Sequence, residues 1–412
     1  MDRYRLFLDW IDEQEKEMQL LLRRWSEINS GSENVKGIAL MIQALKKAFS
    51  TLDASMQDHN LENWKKIDSN GNAIEVPLGK ALSIRKRPSA PIQVFLGAHL
   101  DTVFPVNSPF QHCQLIDKNT LNGPGVADIK GGIMVMLKAL EAFERSPFAE
   151  NLGWEILFNP DEEIGSPGSA PLLRKYGKKH HIGLVFEPSL PNGALINQRK
   201  GSAIYTVVSK GKAAHVGREF KQGESAIVHL AKLIQSLDQL NSSDVILNIG
   251  NIEGGGPVNI VPDLAICRFN VRVDKPETMD DIDNEIKQLI NTINKNSAGD
   301  LTLHGGFTRP PKTFDKHTEA LFEAIRTCGK DLGLELKWQS SGGVCDGNIL
   351  ASVGLPTIDT LGVRGGAIHT SDEYVLLDSL CERARLVALF LMKLASKEIT
   401  LDKEIPHESI TC

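Results

Sequence analysis

Cysteine is sparse and unpaired in this sequence. Six of them in 412 residues, Cys113, Cys267, Cys328, Cys345, Cys381 and Cys412, lie scattered with no CxxC spacing. That argues against a disulfide framework or a thiolate metal site and for free thiols in a reducing compartment. No stretch approaches the ~20 apolar residues that cross a bilayer. The opening MDRYRLFLDWIDEQEKEMQLLLRR is charged throughout and lacks the apolar middle and small-residue cleavage site of a signal peptide. A cytoplasmic location without a membrane partner is therefore expected. Basic excess is missing too: 46 Lys and Arg against 52 Asp and Glu give a net charge of -6, a poor match to nucleic acid. Internal repeats and low-complexity tracts are absent. What remains, 41% hydrophobic and 24% charged residues, is the composition of an ordinary globular chain and excludes a disordered or collagen-like one. At about 150 residues per domain, the length points to two or three domains.

The first 50 residues read as helical. Leu6, Trp10, Leu21, Trp25 and Ile28 recur at roughly helical spacing up to a break at Asn29-Ser30-Gly31-Ser32. Ile38, Ile42, Leu45 and Phe49 then form the stripe of a second helical stretch, 35–52. Short apolar runs at 91–101, 154–159 and 183–187, with a helical stretch at 133–143, suggest buried strands alternating with helices in an α/β sheet. From about 201 to 304 the order becomes strand 203–209, helix 225–240, strands 245–252 and 264–273, helix 279–294, strand 301–304. This βαββαβ order is ferredoxin-like and can stand as its own unit. After Pro310-Pro311 the alternation resumes at 318–332, 357–361 and 377–395. The simplest organisation is one α/β domain built from residues 1–200 and 305–412, with a second domain, 201–304, inserted in its middle.

Chemistry gathers where the apolar runs end. His99 and Asp101 close one strand as H-x-D, and residues two apart on a strand face the same way. Asp128 follows the Gly-rich turn Asn122-Gly123-Pro124-Gly125-Val126-Ala127. Asp161, Glu162 and Glu163 follow a second strand, Glu187 ends a third, and His369 sits in Gly366-Ala367-Ile368-His369-Thr370-Ser371-Asp372-Glu373 after a fourth. Any one of these alone would be an ordinary helix cap, solvated loop residue or structural histidine. Together they occupy one topological place, the carboxyl ends of strands, where open α/β sheets bind ligands. Imidazole and carboxylate without thiolate suit zinc, manganese or cobalt. Two histidines and several carboxylates are enough for two metals sharing a bridging carboxylate.

These motifs, His99-Leu100-Asp101-Thr102-Val103, Gly123 to Gly132, Asp161-Glu162-Glu163-Ile164-Gly165-Ser166, Glu187-Pro188 and His369-Thr370-Ser371-Asp372-Glu373, occur in one order. In that order the chain beyond about residue 25 resembles the M20 metallopeptidases, and most nearly the glutamate carboxypeptidase (carboxypeptidase G2-like) branch. The resemblance implies a di-zinc exopeptidase-like α/β catalytic domain with an inserted ferredoxin-like lid. It implies hydrolysis of an amide next to a free carboxylate, in a small molecule or short peptide, by a metal-activated water. It implies two divalent ions, zinc with cobalt or manganese as alternatives: His99 and Glu187 on one, Glu163 and His369 on the other, and Asp128 bridging. Asp101 would orient the His99 ring and Glu162 would be the general base. A cis peptide between Asp128 and Ile129 is implied as well. In the lid, the segment Gly211 to Gly217 resembles one whose histidine, here His215, reaches a partner subunit's site, so a homodimer through the lid is implied. Asn259 and Arg309 match substrate-carboxylate contacts.

One departure stands out. The branch carries a lysine eight residues after its glutamate ligand, and here that position is Leu195, with Arg199 and Lys200 nearby. Cys345, in Gly342-Gly343-Val344-Cys345-Asp346-Gly347, reads as a packing residue, and Gly254 to Gly256 lack the Gly-Lys-Ser/Thr of a phosphate loop. The alternative is a small-molecule binding protein that keeps the fold without turnover. Glu162 stands beside a full ligand set, which favours the enzyme.

Overall fold

The computed structural model describes residues 1–296 and 299–401; Cys412 and the end of the 305–412 segment lie outside them. The amino-terminal region forms two helices, Asp2–Glu13 and Glu15–Ser26, broken at Gln14. Tyr4, Leu8 and Ile11 turn inward on the first and Met18, Leu22 and Trp25 on the second. Leu6, two residues from both Tyr4 and Leu8, lies on the opposite face of the first helix from that expected and is exposed. Tyr4 to Leu8 to Ile11 is the better i, i+4, i+7 series. The helix Val35–Phe49 buries Ile38, Ile42, Leu45 and Phe49 as expected, and Asn34 caps it by accepting the Gly37 amide at 3.1 Å.

A six-stranded sheet runs Ser55–His59, Ala81–Lys86, Leu152–Asn159, Ile92–His99, Ile182–Val185, Thr357–Ile358. The last four of these are mutually parallel. The chain moves from Ile92–His99 to the neighbour on one side, then to the neighbour on the other. The order thus reverses around the Ile92–His99 strand, which makes a crevice beyond its carboxyl end. Every residue of Leu152–Asn159 is buried, as two-sided helix cover requires. The strands between residues 55 and 76 escaped the sequence reading because their burial is mostly partial or absent, so no apolar run marks them.

A small sheet places Gly365–Gly366, Tyr374–Leu376, Thr120–Asn122 and Gln114–Leu115 side by side. Its Tyr374–Asn122 pairing sets the loop carrying His369 next to the turn carrying Asp128. Gly132, in the helix Lys130–Glu144, lies so close to the end of a core strand that a Cβ there would sit 2.0 Å from the Phe186 carbonyl oxygen.

The four-stranded sheet of the middle segment has the order Val245–Gly254, Leu264–Val273, Gly201–Lys210, Asp300–Arg309, all antiparallel. With helices Ala226–Asp238 and Pro276–Lys295, that order is the ferredoxin-like arrangement. Its apolar residues, among them Leu230, Leu233, Phe269, Ile282 and Ile286, form a cluster separate from the core of the six-stranded sheet. The final strand is longer than the sequence suggested. Gly305 and Gly306 interrupt its apolar pattern with positive φ, but pairing continues to Arg309. The strands by which the chain enters and leaves this unit pair with each other. Arg199 N–H donates to the Lys312 carbonyl at 3.1 Å and Lys312 N–H returns a bond at 3.0 Å. Both side chains then grip the buried Asp359 carboxylate, each at 2.8 Å. Against burial, which would raise it, Arg199 and Lys312 hold that carboxyl down at about 2.

Ile286→Ala should cost ~2–5 kcal/mol, the usual range for a large-to-small core change. Because its cluster is separate, limited proteolysis should cut first within residues 201–304. Simultaneous cutting of the six-stranded core would show that the two clusters unfold together.

Candidate active site

His99 ends its strand with its ring buried, and its Nε2 lies 3.0 Å from Asp128 Oδ1 and 3.8 Å from Glu187 Oε1. The His369 ring approaches from the opposite side, with Nε2 3.3 Å from Asp128 Oδ2 and 3.1 Å from Glu163 Oε2. The two oxygens of Asp128 therefore face two imidazoles, each with its own glutamate. The structure brings together all five residues expected as ligands. His369 and Ala367 hold left-handed backbone, φ 65° and 51°, a conformation uncommon away from glycine and one that collects at functional sites. The Asp128–Ile129 peptide is cis, as the resemblance implied.

The donor set fits divalent metal. The candidate ligand atoms of His99, Asp128 and Glu163 lie within 4.8 Å of one another, as do those of His99, Glu162 and Glu187. Glu187 Oε1 is buried without a hydrogen-bond partner, an orphan that a cation would satisfy. Burial, then the Asp128 charge, lifts Glu163 to about 7 and raises Glu187 from its ordinary value. Hydrogen bonds to Asp128 and then Glu163 lift His369 to about 11. Carboxylates this crowded need positive charge between them.

Asp101 behaves differently from the expectation. The His99 Nδ1 lies 2.9 Å from the Asp101 main-chain oxygen and 3.4 Å from its carboxylate. The carboxylate accepts instead from Ser32 Oγ at 2.7 Å and from the Glu162 and Glu163 amides at 3.1 Å each. It thereby fixes the turn that aims both glutamates. Glu373 does the same for the bridging aspartate: its carboxylate accepts the amides of Gly125, Ala127 and Asp128, each at 3.0 Å. Sequence reading gave Ser32 and Glu373 no role. Their partners lie 69 and about 245–248 residues away, and only the assembled sheet brings them together. Asp161 takes no part in the ligand cluster; it accepts from Gly168 N, Ser169 N and Ser169 Oγ in its own turn.

A cavity of about 430 Å³ opens over the cluster between the six-stranded sheet and the middle unit. Three arginines line it. Arg309, expected to bind a substrate carboxylate, is occupied by the protein: Gly165 O at 2.6 Å, Ser166 Oγ at 2.9 Å, and Glu162 Oε1 and Asp346 Oδ1 both at 3.0 Å. Two carboxylates already hold it, so a ligand would have to displace them. Arg199 is committed to Asp359. Arg272 reaches the Asn270 side chain at 2.8 Å and the Gly342 carbonyl at 3.5 Å. Among the described residues it has no carboxylate partner, and burial lowers its pKa. The alternation Arg268, Asn270, Arg272 on its strand was the available signal. Cys345 is buried, its sulfur accepts the Gly347 amide, and burial raises its pKa well above the usual thiol value, so it is a packing residue. His215 and Asn259 are exposed, and the Asn259 carbonyl accepts the Val216 amide at 3.0 Å. Neither is among the residues lining this cavity.

The fold and the donor set define a metal-dependent hydrolase of amide bonds. Residues 95–393 match the family model described as Peptidase family M20/M25/M40, and the chain belongs to that family. It is 27% identical over 319 residues to carboxypeptidase G2 of Pseudomonas sp. (strain RS-16), covering 74% of each chain. It is 29% identical over 337 residues to a succinyl-diaminopimelate desuccinylase of Pseudoalteromonas atlantica, covering 75% of this chain and 85% of that protein. The fold is shared with Bacillus subtilis YXEP, a dinuclear metal binding peptidase from the M20 family, at TM-score 0.61 and 15% identity over 93% of this chain and 99% of that one. No helix among the described residues is long and apolar enough to cross a membrane.

Glu373→Ala would leave three buried amides without their acceptor, at ~1–3 kcal/mol for an unmet donor. Metal affinity should fall ~10–100-fold, as when an outer partner of a ligand is lost. Chelator competition with cobalt, together with urea unfolding, checks both; unchanged metal affinity would mean the Asp128 turn holds without Glu373.

Proposed function

We propose that this protein hydrolyses an amide next to a free carboxylate, in a short peptide or an N-acyl amino acid, with two divalent ions. Zinc is the first candidate, with cobalt and manganese behind it. The observation that supports this reading most is Asp128, whose two oxygens face His99 and His369, each paired with its own glutamate. His99, Glu187 and Asp128 would hold one ion; His369, Glu163 and Asp128 the other. When bound, such a pair lowers the pKa of a water and polarises the scissile carbonyl. Glu162 takes the proton of the attacking water and delivers it to the leaving amine. Its other neighbour supports that role: Arg309 holds Oε1, which fixes the aim of the carboxylate and leaves Glu162 less available as a ligand. Arg272 is assigned the substrate carboxylate, because a guanidinium fork suits that group and this one has no carboxylate partner among the described residues.

The organisation goes with this reading. Residues 201–304 form a lid and residues 1–200 with 305–412 the catalytic domain. We assign a homodimer through the lid. Its outermost strand, Val245–Gly254, and a lid helix expose Ile246, Ile252, Ile227 and Val228, and exposed apolar residues on a sheet edge call for cover. His215 and Asn259 would then serve the partner's site, and the protein would work in the cytoplasm.

Elemental analysis after reloading is expected to find two ions per chain, and fewer than one would sink the two-metal assignment. Glu162→Ala should keep its metal and lose ~10²–10⁴-fold in turnover, the range for a general base. Retained turnover would place the base elsewhere. Mixing inactive His215→Ala chains with inactive Glu162→Ala chains should restore part of the activity, because mixed dimers contain one intact site. No recovery, or a fully active monomer, argues against sharing.

A further inference from the structure

The cavity lining says which side chains it takes. Three cationic arginines contribute to it, and two are already engaged by carboxylates of the protein, Arg199 sharing its partner Asp359 with Lys312. Arg199 meets both Asp359 oxygens, at 2.8 and 3.1 Å. Arg309 lies 3.0 Å from both Glu162 and Asp346. Arg272 is the one remaining, and no lysine lines the cavity among the described residues. The site therefore offers, among the described residues, one guanidinium that no carboxylate of the protein engages, which suits one substrate carboxylate. Its remaining walls are largely aliphatic: Ile164, Leu190, Ile196, Ile204, Val344 and Ile368. Ser202, Thr308 and Ser341 add hydroxyls without charge. Leu195, at the position where the glutamate-specific branch has lysine, is buried in the core of the six-stranded sheet, so the lost cation has no replacement there.

We infer that the substrate is monocarboxylic and carries an apolar side chain, of the leucine, isoleucine or methionine type, and that a glutamate or aspartate beside the scissile amide is disfavoured. Once Arg272 holds the carboxylate next to the amide, a second carboxylate must leave water for an aliphatic wall without a counter-charge. A buried charge without a partner is strongly unfavourable, whereas an aliphatic side chain gains from the same transfer. Ile204 contributes on the lid side. It lies on the strand Gly201–Lys210 beside Ser202, which pairs with Arg272, and half of its surface is open.

This inference rests on the carboxylate reading of Arg272, and the test separates the two. With zinc-loaded full-length protein, kcat/KM is compared for N-acetyl-L-leucine, N-acetyl-L-glutamate and N-acetyl-L-leucinamide. The leucine substrate should exceed the glutamate one by ~10²-fold, the scale of discrimination an apolar pocket can reach, and the amide should be poor. Ile204→Lys places a cation on a half-open wall and should raise glutamate relative to leucine. Glutamate cleaved as well as leucine, with leucinamide refused, overturns the pocket inference and leaves the carboxylate reading standing. Leucinamide cleaved as well as leucine overturns the carboxylate reading instead. If none of the three turns over, calorimetry with L-leucine and L-glutamate on the metal-loaded protein decides. Leucine bound more tightly supports the inference; equal binding, or no leucine binding, overturns it.

Discussion

Negative charge packed at the ends of neighbouring strands is the condition to which the rest of this molecule answers. Asp128, Glu163 and Glu187 meet around two imidazoles, with Asp101, Asp161, Glu162 and Glu373 close behind. Carboxylates in that density repel one another, and burial raises the cost. The protein meets it in three ways. Backbone amides from the turns after the strands satisfy Asp101, Asp161 and Glu373. Arg309 bridges Glu162 and Asp346 and offsets part of their charge. The oxygens facing His99 and His369 are left for cations. Carboxylates that accept amides thus hold the scaffold, those beside Arg309 and Arg199 are held by side chains, and those facing the two imidazoles are the candidate metal donors.

The same partition explains why the positive side chains are so unequal. A guanidinium beside buried aspartates is a structural counter-ion, whatever its distance from the cavity. Arg199 and Arg309 stand at the two places where the chain crosses between the units, and each is fastened to an acid of the six-stranded-sheet side. Arg272 sits inside the middle unit, away from those acids. Lining a cavity and being free to bind are separate properties, and the ion-pair partners distinguish them.

Much of this was legible in the sequence where function coincided with the end of an apolar run. His99, Glu163 and Glu187 were visible because a buried strand has a clear local pattern and its carboxyl end is a known place to look; His369 lies instead in the loop between Gly365–Gly366 and Tyr374–Leu376, and the motif around it was the signal. The βαββαβ segment was visible because its periodicity changes from two to 3.6 and back. Residues acting across the fold were hidden. Ser32 holds Asp101, and Glu373 holds the Asp128 turn, by contacts that depend on pairing register rather than local pattern. Arg309 shows the converse. Its type and position suggested a ligand contact, and only its neighbours reveal that Glu162 and Asp346 occupy it. The stripe through Leu6 failed for a smaller reason: a short, charged helix carries apolar residues on both faces, and Tyr4, Leu8 and Ile11 outnumber Leu6 on the buried one.

The paired crossing strands carry a topological consequence. Arg199 and Lys312 exchange two main-chain hydrogen bonds, so everything between them leaves and returns through one antiparallel rung. A rung of that kind is what a two-residue turn closes in an ordinary hairpin. The middle unit is therefore an excisable module: a short turn joining Arg199 to Lys312 would preserve the Asp359 anchor while deleting Asn259, His215, Arg272 and Arg309 together, which leaves Glu162 and Asp346 without their counter-ion. By the same geometry, a foreign domain whose ends lie side by side could be spliced at that rung without altering the sheet beneath it.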